Sequence, residues 1–248
     1  QAITPDRVGK IDVVVSMDAQ TLTLGYFIKP TIVTVDKNTP ASVVISDLII
    51  ETLKEKYGDI GWEPYQTYHE SEPDKRCAYM HTGTLTDSFY LAQVYWPGQE
   101  NAFVPKYITD SAGAIDYDKY NTGNYLGEFD YHQMSGWMYS IGGADFYPGS
   151  PMSGYYLQDG DTLTLRYTLA YGWDVGTGES GYGNNVGYCI TCMNGSWSVH
   201  HSYETVTVED GTTKYVCRSC GMVEGCPHEN KEYQDQGGGM CVQVCKDC

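Results

Sequence analysis

The stretch from Ile11 to Gly58 reads IDVVVSMDAQTLTLGYFIKPTIVTVDKNTPASVVISDLIIETLKEKYG, and its change of hydrophobic period decides the fold class. Ile11 to Met17 and Thr31 to Val35 are short β-branched runs of strand type. Gly25-Tyr26 and Lys29-Pro30 between them are turn signals, so the two runs are expected to pair antiparallel. Then the period lengthens. Val44, Ile45, Leu48, Ile49, Leu53 and Tyr57 recur at helical spacing until Gly58. Thr39 offers an N-cap with Pro40 at the first helical position, and Lys54 and Lys56 suit the carbonyl end of the helix dipole.

Outward from that core, Asp59 to Arg76 is polar and interrupted by Pro64 and Pro73, which predicts a surface loop. Phe89 to Trp96 (FYLAQVYW) has strand character. Residues 97–130 read as a long insertion whose acidic residues follow no regular period. Strand character returns at Trp137 to Ile141 and Tyr155 to Leu157, followed by a turn at Gln158-Asp159-Gly160-Asp161 and a further strand from Thr162 to Leu169. In that last run Leu163, Leu165, Tyr167 and Leu169 share one face. Thr162, Thr164, Arg166 and Thr168 share the other, which predicts a strand with one wet side. The plan is α+β, a β-grasp-like antiparallel or mixed sheet with one main helix and a long insertion. It spans residues 8–175, with a Gly-rich linker over 176–188 and a separate module over 189–248.

Eight of the nine cysteines fall in that last module. Cys-x-x-Cys turns aim two thiolates at one ion, and two such turns complete a tetrahedron, so two structural zinc sites are expected. One set is Cys189, Cys192, Cys217 and Cys220; the other is Cys226, His228, Cys245 and Cys248. His200 or His201 are alternative ligands in the first set, and Cys77 and Cys241 are left over. The competing reading is four disulfides, which an oxidising space would favour. If zinc holds the module, chelation unfolds it and spares the rest of the chain.

The balance of 15 basic against 32 acidic residues, a formal charge of -17, repels phosphate backbones and anionic membrane surfaces. No nucleic-acid partner and no membrane insertion are expected, since no apolar run approaches a membrane span. A Tyr-, Thr-, Gly- and Asp-rich composition points to a secreted or cell-surface protein, whose targeting segment would have been removed. Catalytic signatures are missing: there is no His-Glu-x-x-His, nucleophile elbow, phosphate-cradling loop or dinucleotide fingerprint. A non-catalytic role is therefore expected, although paired carboxylates work without a local motif.

Met134-Ser135-Gly136-Trp137-Met138-Tyr139-Ser140-Ile141, with Tyr147-Pro148-Gly149 and Tyr155-x-Leu157-x-Asp159-Gly160-Asp161, resembles a block of the transcobalamin-like C-terminal domains of secreted Firmicutes proteins. Gly25-Tyr26-Phe27-Ile28-x-Pro30 and Ser88-Phe89-Tyr90-Leu91-Ala92 are similar to earlier blocks of the same family. The resemblance implies a β-grasp-like ligand-binding module, with a corrinoid as the first candidate ligand. The cysteine-rich tail resembles zinc-ribbon repeats of bacterial surface proteins.

Strand alternation sends Trp137 and Tyr139 one way and Met138 the other. Trp137, Tyr139, Phe89 and Tyr90 are the candidate ligand-binding residues, an aromatic shelf for a flat ligand such as a corrin or a sugar. The competing reading is that all four are packing residues. A structural or adhesive surface protein that contacts glycans or host proteins is the alternative function, and a carboxylate-based glycan enzyme is a third. The acidic residues of the insertion, from Asp110 to Asp130, read as solvated surface in preference to a calcium site. His69, His81 and His132 read as ordinary surface or core residues.

Overall fold

The computed structural model describes residues 8–66, 76–104, 106–109, 124–142 and 148–175, and in the tail 203–207, 213–217, 223–224, 231–237 and 240–246. Among the described residues the chain is a mixed α+β protein, with two mixed four-stranded sheets and one main helix.

β1 (Lys10–Asp18) and β2 (Tyr26–Asp36) pair antiparallel with Val13 opposite Val33, as the β-branched runs suggest. Lys29 and Pro30 do not turn the chain. They lie inside β2, where Val15 faces Thr31 and Met17 faces Ile28, so both residues oppose Ser16 alone. This bulge absorbs the proline, and β2 is an edge strand that needs ladder hydrogen bonds on one side only.

α1 (Ala41–Tyr57) starts one residue later than the sequence suggests, with Pro40 in the cap position. The Thr39 hydroxyl is not its cap, because it donates to the Asp36 carbonyl at 2.6 Å. Val44, Ile45, Ile49 and Leu53 are buried, Leu48 is half-buried, and Tyr57 at the end is exposed. Gly58, at φ +83°, closes the helix by donating its N–H to the Lys54 carbonyl at 2.9 Å.

The stretch read as a loop contains a strand, β3 (Glu63–Gln66). Its anchor is the buried indole of Trp62, which donates to the Gly58 carbonyl at 2.9 Å. β3 runs parallel to β4 (Cys77–Thr84), and β4 forms an antiparallel hairpin with β5 (Asp87–Tyr95). After the short α2 (Lys106–Thr109), β6 (Tyr125–Gly127) pairs antiparallel with β5 and completes the order β3-β4-β5-β6.

β7 (Gly136–Ile141) and β8 (Thr162–Thr168) return the chain to the first sheet, whose order is β2-β1-β8-β7. β8 is parallel to β1, with Val14 opposite Thr162 and Asp18 opposite Arg166, and antiparallel to β7. Between them Gln158 to Asp161 is a turn, closed by the Asp161 N–H donating to the Gln158 carbonyl at 3.1 Å. Tyr155 to Leu157 is not a strand; Tyr156 makes one isolated bridge to Pro40.

Leu163, Leu165 and Tyr167 are fully buried, as their alternation implies. The polar face of the same strand is not wet. Thr164, Arg166 and Thr168 are buried too, because β8 is central and neighbouring elements supply polar partners. Arg166 Nε donates to Asp18 Oδ2 at 3.1 Å, and the Thr168 hydroxyl donates to the Asp174 carboxyl. A buried polar face of this kind is tolerable only because its groups are paired.

One core joins the two sheets and α1. In the tail, β9 (Tyr203–Thr207), β10 (Thr213–Cys217) and β11 (Val223–Glu224) form an antiparallel sheet, and β12 (Lys231–Gly237) pairs antiparallel with β13 (Met240–Cys245). No helix among the described residues is long and apolar enough to cross a membrane.

Candidate functional site

β5 carries Phe89 and Tyr90, and β7 carries Trp137 and Tyr139; the four side chains line one cleft of about 380 Å³. Alternation along β7 places Trp137 opposite Tyr167 and Tyr139 opposite Leu165, so both rings rise from the apolar face of the first sheet. Phe89 and Trp137 form its floor and are 1% and 5% exposed. They are core residues as well as lining. Trp137 donates its indole N–H to the Leu126 carbonyl at 3.0 Å, stacks near Trp96 at 6.1 Å and meets Tyr167 edge-on at 5.3 Å. Tyr90 and Tyr139 supply the accessible rings. The Tyr139 hydroxyl donates to the Ser150 carbonyl at 2.6 Å and so ties the rim at Pro148 to Met152 onto the strand.

A second cavity of about 430 Å³ shares Tyr90, Trp137 and Met138 with the first. Its outer wall is Phe129 and Tyr171, its inner polar group is Glu128, and Gly136 forms part of its lining. A Cβ at position 136 would sit 3.1 Å from the Tyr90 hydroxyl, so only glycine lets that phenol lie against the strand without displacement. The Glu128 carboxylate lies near the Tyr90 hydroxyl; burial first, and then that negative charge, raise the phenol pKa far above its usual range. The phenol is a neutral donor at physiological pH.

Phe129 and Tyr171 have φ of +67° and +54°, the left-handed region that side chains of this size avoid at a cost of about 1–3 kcal/mol each. One loop holds both. The Phe129 N–H donates to the Ser135 carbonyl at 3.1 Å and the Tyr171 N–H to the Met134 carbonyl at 3.0 Å. That loop is in turn set by His132, fully buried, whose Nδ1 accepts the Met134 N–H at 3.1 Å. Burial lowers the His132 pKa, which keeps the ring neutral and its Nδ1 able to accept.

Asp130 closes the same turn by accepting the Gly127 N–H at 2.6 Å, and burial pushes its pKa up to about 7. The unfolded chain releases this proton near pH 4, whereas the folded chain keeps it until about pH 7. Stability from this group is therefore full below pH 4 and declines as pH rises towards 7. Buried Asp18 and Asp174, also raised, add slope of the same sign. Asp130→Asn keeps the hydrogen bond and removes one ionisation. It should flatten the fall in unfolding free energy between about pH 4.5 and 7.5 by a few kcal/mol, at about 1.4 kcal/mol per unit. Urea titrations of both proteins at the two pH values measure it, and equal slopes would refute the assignment.

Six of the eight expected zinc ligands, Cys189, Cys192, Cys220, Cys226, His228 and Cys248, lie outside the described residues, as do His69, His200 and His201. Cys217 ends β10 opposite Tyr203, and Cys245 ends β13 opposite Lys231. Among the described residues, no three His, Cys, Asp or Glu side chains gather as a metal site requires. Asp110, Asp116 and Asp118 of the acidic insertion also fall outside the described residues, whereas its last members, Glu128 and Asp130, belong to the second cavity and its turn. Glu128, Phe129 and Tyr171 are not among the expected site residues, because loop positions follow no hydrophobic period, and Phe129 and Tyr171 take left-handed backbone besides.

Compared with known proteins, the chain matches no family model, no curated protein and no solved structure.

Proposed function

We propose that the protein is a secreted or cell-surface, non-catalytic binding module for a small flat ligand, carried on a β-grasp-like domain with a structural zinc tail. What carries the reading is the convergence of Phe89, Tyr90, Trp137 and Tyr139 on one cleft whose floor is rigid and whose accessible faces are aromatic. Its volume suits a planar group of one or two rings. A corrinoid, the candidate that the sequence resemblance supplies, would enter by an edge or a side chain and lie against the Tyr90 and Tyr139 rings. The order β2-β1-β8-β7, with β1 parallel to β8 and α1 following β2, supports the β-grasp-like assignment. For the tail, the support is the repeated Cys-x-x-Cys spacing and the register that sets Cys245 opposite Lys231 at the end of its hairpin.

One experiment reads ligand and metal together: native mass spectrometry of the protein purified without chelator, then titrated with cyanocobalamin. The expected result is two zinc ions per chain and a saturable small-molecule adduct. Tyr139→Ala should abolish the adduct with the unfolding midpoint nearly unchanged, since Tyr139 is only half-buried. A metal-free chain would remove the zinc reading, and no adduct from either source would remove the flat-ligand reading. The adhesive alternative is favoured by the exposure of Phe129, Tyr156 and Tyr171, each more than half accessible. Capture on a glycan array without any small-molecule adduct would select it.

A further inference from the structure

We propose that the cavity lined by Phe129 and Tyr171, which adjoins the first cleft, is a second binding site, for an organic ammonium group, with Glu128 as its counter-charge and the aromatic rings as its walls. At about 430 Å³ it falls in the size range of sites that enclose small ligands. Glu128 is the only residue of formal charge among its described lining, and four of the other lining residues are aromatic: Tyr90, Phe129, Trp137 and Tyr171.

That combination selects by charge. An anion would meet a carboxylate and the negative faces of several rings, and both repel it. A cation is attracted by both at once, and the attraction to the rings survives only where their faces are accessible. Phe129 and Tyr171 are 56% and 58% exposed. Glu128 shares this lining with Tyr90, and a carboxylate can accept several ammonium hydrogens. The formal charge of -17 raises the local concentration of cations around the protein.

The backbone points to the same conclusion. Two aromatic residues held in left-handed conformations, both bonded to the loop around His132, line the same cavity. Strain of this kind persists where the surroundings impose it, and it holds Phe129 and Tyr171 in place before any ligand arrives. The site does not depend on the flat-ligand reading, because Tyr139 and the Pro148 to Met152 rim belong to the first cleft alone.

Calorimetric titration of the full chain tests it with three probes: Nα-acetyl-lysine methylamide, its norleucine counterpart without the ammonium, and tetramethylammonium chloride. The lysine compound should saturate at about millimolar strength. The norleucine compound should bind at least ~10-fold more weakly, because it lacks the charge that the rings and Glu128 attract. Glu128→Gln and Tyr171→Ala should each weaken lysine binding by ~10-fold, and Tyr139→Ala should leave it unchanged. If Glu128→Gln does not fold, Phe129→Leu, which keeps apolar bulk and removes a ring face, should weaken binding several-fold instead. Tighter binding of tetramethylammonium than of the lysine compound would identify a quaternary ammonium as the natural group, and the reverse a peptide lysine. No saturable binding of either cation, equal binding of the norleucine compound, or unchanged affinity in the folded variants would overturn the proposal.

Discussion

Arg166→Met should lower the unfolding free energy at about pH 7 by about 3–5 kcal/mol, the range seen when one partner of a buried ion pair is removed. Asp18 is fully buried, and its Oδ2 accepts Arg166 Nε at 3.1 Å in the centre of the first sheet. Even with the guanidinium beside it, burial dominates and holds the Asp18 pKa above the usual carboxylate value. Without Arg166 that value climbs further, so the folded variant must either bury a bare charge or keep a proton that the unfolded chain releases. The loss should accordingly be larger at about pH 7 than at about pH 5, since the folded carboxyl is raised and stability falls as pH increases. The double replacement Asp18→Leu with Arg166→Met removes both charges and should recover most of the loss. Urea unfolding of the three variants at both pH values decides the matter; a loss below about 1 kcal/mol, the scale of an exposed pair, would mean that water reaches the carboxylate.

Trp137→Ala should cost a similar amount, about 3–5 kcal/mol, by the cavity it leaves in the core. Its ring is packed against Trp96 and Tyr167, and its N–H donates to the Leu126 carbonyl in β6 of the second sheet. Removing it strips packing from the junction of the two sheets and leaves a buried acceptor unpaired. Any ligand binding should disappear together with stability. Tyr139→Ala should separate the two effects, because that ring reaches the cleft from a half-buried position. Guanidinium midpoints beside binding titrations give the comparison. A Trp137→Ala protein of unchanged midpoint would show that the indole belongs to the site and not to the core.

The helix was legible because Val44, Ile45, Ile49 and Leu53 repeat at its period and Gly58 stops it. β1 was legible from its β-branched run, although both its faces are buried, and the apolar side of β8 from its alternation at period two. The buried polar side of β8 was not. Its justification, Asp18, lies on a strand 148 residues away, and no local window contains both members of the pair. Of the second sheet only β5 is legible, in the run from Phe89 to Trp96, because β4, CAYMHTGT, fades from buried to half-buried without alternating, and β3 is four residues interrupted by a proline. Lys29-Pro30 signals a turn in most contexts; an edge strand with a bulge is the context in which it does not. The four aromatic residues of the first cleft were readable as pairs of strand neighbours, whereas Phe129 and Tyr171 sit on loops whose shape is set by backbone bonds to Ser135 and Met134.

The parallel pairing of β1 with β8 also constrains how the chain is made. A ribosome adding about 5–20 residues per second takes on the order of 10 s to travel from one strand to the other. Through that interval the edge of β1 that β8 covers lacks its partner strand. Until residues 162–168 emerge, that edge is open to wrong pairing, which makes the late strand the step that completes the first sheet.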